Sequence, residues 1–251
     1  MKILAVDVGN TSVHFALFSG KTIHKTFRIK TPDLGLRALR RIARKIPLKN
    51  VEAAVIASVV PSAGNFLKKN LPKTVGLKSY LIGKDLKAPI ANKYKKPEQV
   101  GIDRLVNAVA AFHRYPRDLI LIDFGTAITL DVVSKKGEYL GGVIAPGIEM
   151  SLEALFHKTA LLPKIRLKHP GNIMGKDTVE SIRVGCSVGI GGLCDRLIQR
   201  IRAHYRSKPL VIATGGYALF MKRYCQSIDL IDPFLTLKGI QISFAKKFLT
   251  K

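Results

Sequence analysis

Two short runs carry the residue types that handle phosphate. ILAVDVGNTSV, residues 3–13, passes from apolar residues into Asp7, Gly9, Asn10 and Thr11. LILIDFGTAITL, residues 119–130, does the same with Asp123, Gly125 and Thr126. The offset that carries Asp7 onto Asp123 also carries Gly9 onto Gly125, so one acid–x–glycine turn occurs twice. A glycine just after a strand lets the backbone turn sharply and approach a ligand. An amide, hydroxyls and backbone N–H groups at the same tip then make an anion cradle. The acid cannot hold phosphate itself and must work through a cation or water. Each turn taken singly also reads as a tight hairpin with Asx-type capping. The matched pair, with a third glycine turn in IATGG at Ile212–Gly216, favours the cradle.

A second kind of cluster is VGIDRLVNAVAA, residues 100–111. Gly101 ends a polar, Lys-rich loop, and Asp103 and Arg104 fall in the first turn of a helix. An acid there suits the helix dipole, whereas a cation does not. An acid beside an arginine at such a junction suits gripping a carboxylate and accepting a hydroxyl proton.

Other chemistries fail on spacing. GNIMGKDT, residues 171–178, is one residue short of a P-loop and has Asp177 where Ser or Thr should stand. No G-x-G-x-x-G follows the first strand, and there is no G-x-S-x-G elbow. Cys186, Cys194 and Cys225 form no C-x-x-C and read as buried thiols. His14, His113 and His157 lack metal-ligand spacing and read as structural. Asp131 suits either a metal shell or the cap of a strand end. Glu180 suits either a catalytic acid or, on a helix, a partner for a base.

The elements that must hold these residues repeat along the chain. Lys2–Asp7, Ser12–Phe18 and Lys21–Ile29 read as strands, with Ser19-Gly20 as a hairpin turn. Asp33–Ile46 reads as a helix capped by Asp33, with Leu36, Leu39, Ile42 and Ile46 on one face. A strand over Ala53–Val59, a helix from Pro61 to Asn70, a strand near Tyr80–Ile82 and a helix over Leu105–Tyr115 follow. The pattern restarts with strands Leu119–Asp123, Ala127–Ser134 and Tyr139–Ala145. Helices are expected from Pro146-Gly147 through His157, from Asp177 to about Tyr205, after Gly215-Gly216, and over Leu235–Leu249, with a strand at Leu210–Ala213. Two similar α/β halves, each on a mixed sheet, are the architecture this implies.

The bulk numbers agree. The chain has 251 residues, 47% hydrophobic and 24% charged, enough for a real core. No apolar run reaches the roughly 18 residues of a membrane span, and Asp7 interrupts the N-terminal run too early for a signal peptide. A cytoplasmic protein is expected. The formal net charge of +25 suits a solvated surface, steering of small anions, or nucleic-acid contact. The cations are spread along the chain and Trp is absent, so no stacking platform for single strands is indicated.

The ordered motifs DVGNT (7–11), GIDR (101–104), DFGTAITLD (123–131), GGVIAPG (141–147), GKDTVESI (175–182), ATGG (213–216) and DPFLTLKGI (232–240) cover essentially the whole chain. In this series it resembles the type III pantothenate kinases of the acetate and sugar kinase/Hsp70/actin superfamily. The resemblance implies two actin-like (ribonuclease H-like) domains, a duplicated core with mixed five-stranded sheets, divided at 1–116 and 117–251, with ATP between them. It implies phosphorylation of pantothenate to 4′-phosphopantothenate, the first step of coenzyme A synthesis. ATP would be bound by Asp7, Val8, Gly9, Asn10, Thr11, Ser12, Val13, His14 and Thr126, with Mg²⁺ near Asp7. Pantothenate would be bound by Tyr94, Gly101, Ile102, Asp103, Arg104 and Thr178, with Asp103 as general base. Asp123 matches the ligand of a monovalent cation, K⁺ or NH₄⁺. The resemblance implies a homodimer; the hydropathy gives no reason to expect membrane contact, and the positive charge allows nucleic acid only as a non-specific contact. The basic composition keeps open a transcriptional accessory, nucleic-acid-binding relative. Another small-molecule kinase of the superfamily would share the ATP turns without needing GIDR.

Overall fold

The apolar runs that flank the two acid–glycine turns form the central strands of two sheets. A computed structural model describes residues 1–47 and 49–249. The chain divides into two compact units. One holds residues 1–116, 137–139 and those from Phe234 onward, and the other holds 117–136 and 140–233.

In the first unit β1 (Lys2–Val8) runs antiparallel to β2 (Ser12–Ser19), and β2 to β3 (Thr22–Lys30). Gly20, at a φ of +58°, makes the turn between them. After α1 (Leu36–Lys45), β4 (Ala53–Ser58) returns parallel to β1. After α2 (Pro61–Val75), β5 (Ser79–Leu81) joins parallel to β4. The sheet order is β3-β2-β1-β4-β5. Strand alternation sends Leu4, Val6, Val8, Phe15 and Leu17 to the face covered by α1 and α2. It sends Ile3, Ala5, Ala16 and Phe18 to the other face, covered by α3 (Ile102–Arg114) and α8 (Leu235–Leu249). α8 lies so close to α3 that a Cβ on Gly239 would stand 1.9 Å from the Val106 carbonyl oxygen. β6 (Ala91–Asn92) lies between β5 and α3 in the chain.

The second unit repeats the plan. β7 (Leu119–Phe124) is antiparallel to β8 (Ala127–Val133), and β9 (Glu138–Pro146) follows. After α4 (Ile148–Lys158), α5 (Thr178–Val184) and α6 (Ile190–Tyr205), β10 (Leu210–Thr214) runs parallel to β7. Beyond α7 (Ala218–Met221), β11 (Leu230–Ile231) lies parallel to β10. The order β11-β10-β7-β8-β9 matches the first sheet strand for strand, so the duplication extends to topology. β6 adds a sixth strand by pairing with Glu138 and Tyr139 of β9, two residues that count with the first unit. In the segment after Asp177, Gly185 and Gly189 bound a π-helical turn that joins α5 to α6, and Gly191 and Gly192 lie in the first turn of α6.

Two local expectations change. Asp33 does not cap α1: Pro32 sits inside a 3₁₀ turn closed by Leu34 N–H donating to the Thr31 carbonyl, and the helix starts two residues after that turn's end, behind Gly35. The helix after Pro61 runs past Asn70 to Val75, where Gly76 in the left-handed region ends it.

Candidate functional site

The first turn joins β1 to β2, with Asp7 opposite His14 and Val8 opposite Val13. Asp7 is half-buried, and Asn10 and Thr11 are exposed at the tip. Gly9 N–H donates to the Ser12 carbonyl at 3.0 Å. Thr31, just beyond β3, braces this turn twice: its hydroxyl donates to the Gly9 carbonyl at 2.7 Å and its N–H to the Thr11 carbonyl at 3.0 Å. These bonds engage the Gly9, Thr11 and Ser12 carbonyls, which lessens their repulsion of an anion at the tip. His14 shares a hydrogen bond with Ser12 Oγ at 3.0 Å. Burial first, and then the Arg28 charge, push the His14 imidazole down to about 4, so it is neutral at pH 7.

Also in the first unit, Gly101 precedes α3 and Asp103 stands in its first turn. Asp103 Oδ1 accepts the Arg104 N–H at 2.8 Å, and a Cβ on Gly101 would lie 2.5 Å from that oxygen. The glycine thus makes room for the carboxylate to fold back over the helix start. Arg104 is only 6% exposed, and its guanidinium lies 5.8 Å from the ring centroid of Tyr139, which is fully buried. Tyr94 lies 6.3 Å from the same ring, and its N–H is fixed by Asn92 Oδ1 at 3.0 Å. Tyr94 and Arg104 therefore meet at Tyr139, with Asp103 next to Arg104 in the chain. Tyr139 and Thr31 lie outside the motifs that mark the other site residues in the sequence. The only local signals are an aromatic residue opening β9 after Gly137 and a threonine before Pro32.

The second turn joins β7 to β8, with Asp123 opposite Thr129 and, across the parallel pair, beside Thr214. Asp123 is half-buried and Thr126 is exposed. Three glycines crowd this turn. A Cβ on Gly125 would lie 3.1 Å from Asp123 Oδ1, and one on Gly215 (φ +91°) 2.4 Å from it. A Cβ on Gly147 would lie 2.1 Å from the Thr126 carbonyl oxygen. The result is an oxygen-lined cradle with bare glycine walls. Tyr217 N–H donates to the Phe124 carbonyl at 3.2 Å, and the Tyr217 hydroxyl donates to the Glu149 carboxylate of α4. Burial first, then Glu149, push that phenol above its ordinary range.

Asp131 sits inside β8 opposite Leu121 and is 1% exposed, so it caps no strand end; Thr129 Oγ1 donates to it at 3.3 Å. Glu180 pairs with Arg183 at 2.5 Å, as a partner for a base. Asp177 caps α5 by accepting the Glu180 N–H at 2.8 Å, which leaves Thr178 as the first helical residue, exposed in the second unit. The three cysteines are free and buried.

Among the described residues no group of three or more His, Cys, Asp or Glu could hold a metal ion. The donors present still fit two kinds of ion. Asp7 beside a phosphate cradle suits a divalent ion held mainly by phosphate and water. The single carboxylate of Asp123, bared by Gly125 and Gly215, suits a hard ion of low charge. No helix among the described residues is long and apolar enough to cross a membrane.

The sequence profile of the family described as type III pantothenate kinase matches residues 3–200. A type III pantothenate kinase of Syntrophotalea carbinolica is 39% identical over 97% of this chain and 98% of its own length. Among solved structures, a Baf family transcriptional activator from Campylobacter jejuni superposes with a TM-score of 0.63 at 19% identity, covering 98% of this chain and 100% of that one. A ROK family glucokinase from Streptomyces griseus, solved with glucose and AMPPNP, gives 0.54 at 12% identity over 98% and 100%. The structural likenesses show the fold, a duplicated ribonuclease H-like α/β core.

Proposed function

This chain belongs to the type III pantothenate kinase family, phosphotransferases that act on the hydroxyl of pantothenate in coenzyme A biosynthesis, and from that premise we propose which of its residues do the work. One observation carries the assignment: a buried guanidinium and a pinned carboxylate share the first turn of α3. Burying a cation at the positive end of a helix costs free energy. Arg104 accepts that cost while packed on Tyr139, which fits a guanidinium that receives the pantothenate carboxylate in a charge-assisted pair. Tyr94, Gly101 and Ile102 would line the same site.

Asp103 is the general base. Its Oδ1 bond to the Arg104 N–H fixes the direction of the carboxylate. As the pantothenate oxygen attacks the γ-phosphorus of ATP, Asp103 takes the hydroxyl proton. The bond from that phosphorus to the bridging oxygen breaks, ADP leaves, and the proton passes from Asp103 to solvent. The run from Asp7 to His14 would hold the ATP phosphates at the exposed tip of Asn10 and Thr11. Mg²⁺ bound near Asp7 would neutralise charge on the transferred phosphoryl group, the main demand of this chemistry. K⁺ or NH₄⁺ at Asp123 would add fixed positive charge.

A cytoplasmic homodimer completes the reading. It is supported by apolar side chains exposed on the second unit, Ile144, Leu161, Ile173 and Met174, at 63–92% exposure. The ligand assignment is tested with Arg104→Lys, which keeps the charge and loses the planar fork. KM for pantothenate is expected to rise about tenfold or more, the scale of one charged hydrogen bond, while KM for ATP stays within about twofold. An unchanged pantothenate KM would show that Arg104 does not hold the carboxylate.

A further inference from the structure

We propose that Tyr217 and Glu149 form a clasp that holds the Asp123 turn in the shape its cation requires. The inference rests on the reading of Asp123 as a monovalent-cation ligand and concerns two residues which that reading does not include.

The cradle is built from three stretches far apart in sequence. Residues 123–126 supply the carboxylate and the turn. Gly147, at the head of α4, presses on the Gly125 and Thr126 carbonyls from one side. Gly215, after β10, presses on Asp123 Oδ1 and on the Phe124 backbone. Both walls are bare backbone, and backbone can come this close only where no side chain intervenes. The walls therefore need to be held against the turn by something other than their own packing.

Each wall is followed, two residues on, by one end of a side-chain hydrogen bond. Glu149 follows Gly147 and Tyr217 follows Gly215. The Tyr217 hydroxyl donates to the Glu149 carboxylate, joining the two walls across the cradle. A neutral donor on an ionised acceptor makes the stronger kind of hydrogen bond. Both ends are anchored. Tyr217 is tied to β7 through the Phe124 carbonyl at 3.2 Å, and its ring stands edge-on to Phe220 at 6.4 Å. Glu149 lies in the first turn of α4, which Ser151 ties to the Gly147 carbonyl through its N–H at 2.8 Å and its hydroxyl at 2.9 Å. Moving either end apart would widen the gap between Gly147 and Gly215 and free Asp123 to turn. Tyr217 and Glu149 are positioning residues: they act on the cation through the cradle walls.

The experiment uses the full-length chain with Tyr217→Phe, Glu149→Ala, both together, Glu149→Gln and Asp123→Asn. Two quantities are read: melting temperature in KCl against NaCl at equal ionic strength, and the K⁺ concentration for half-maximal turnover. Wild type melts higher in KCl. In Tyr217→Phe and in Glu149→Ala that difference shrinks and the half-activating K⁺ rises about three- to tenfold, the scale of one net hydrogen bond. The double variant is no worse than either single one, and Glu149→Gln, which keeps an acceptor, stays near wild type. If the two single variants melt lower in both salts but keep the wild-type K⁺ response, the bond is merely structural and the proposal fails. If Asp123→Asn also keeps the wild-type K⁺ response, the cation reading fails and the clasp falls with it.

Discussion

Thr31 shows how a residue outside every motif can shape the site. Its two hydrogen bonds reach the carbonyls of Gly9 and Thr11, the turn read as the ATP cradle. Thr31→Val removes only the hydroxyl. The part-buried Gly9 carbonyl then loses its donor, a loss of about 1 kcal/mol. Steady-state kinetics are expected to show KM for ATP rising several-fold with KM for pantothenate unmoved, and Thr31→Ser restoring the wild-type value. Equal rises in both would mean that the bond supports the fold and not the turn. At this scale the sequence reveals what is local. Asp7 with Gly9, Asp123 with Gly125, and Asp103 with Arg104 are legible because glycine after a strand, or a charge at a helix start, leaves a mark within a few residues. Thr31, Tyr139, Glu149 and Tyr217 leave no such mark, because folding brings them to their partners from 20 or more residues away in the chain.

At the scale of elements, periodicity locates nearly every strand and helix, since alternation and the 3.6-residue face follow directly from burial on one side. It does not tell which sheet a helix covers. α8 follows the second sheet in the chain, yet it packs with the first unit, against α3. Its apolar face suits either sheet, and the choice rests on shape. Gly239 permits backbone contact with Val106, and Leu237, Ile240 and Phe244 fill the face of the first sheet. Gly239→Ala puts a methyl 1.9 Å from a carbonyl oxygen and forces α8 off α3. Such overpacking costs about 1–3 kcal/mol, and thermal unfolding is expected to show a drop of several degrees. An unchanged melting temperature would mean that the two helices slide apart at no cost. Because α3 carries Asp103 and Arg104, the same variant is expected to weaken pantothenate binding more than ATP binding. The Asp33 misreading has an elementary cause too: a proline followed by an acid marks a helix start in sequence, but a 3₁₀ turn uses the same residues.

At the scale of the whole molecule, the net charge of +25 remains the least ordinary property. α1 presents Arg37, Arg40, Arg41, Arg44 and Lys45 to solvent and contains no acid. An excess of positive charge of this size would draw an anionic nucleotide from a distance, and salt would screen that attraction over about 8–10 Å. With K⁺ held constant and choline chloride added, kcat/KM for ATP is expected to fall several-fold as ionic strength rises, with kcat little changed. A kcat/KM indifferent to salt would mean that the charge plays no part in substrate capture. In the proposed reading the phosphorylation rests on one carboxylate at the head of α3, that of Asp103. The most direct test is Asp103→Asn, which keeps the size and the hydrogen-bonding reach of the side chain but cannot accept the hydroxyl proton. The account predicts kcat lower by about 10²–10⁴, with KM for ATP within about twofold of wild type. Turnover near the wild-type rate would contradict it.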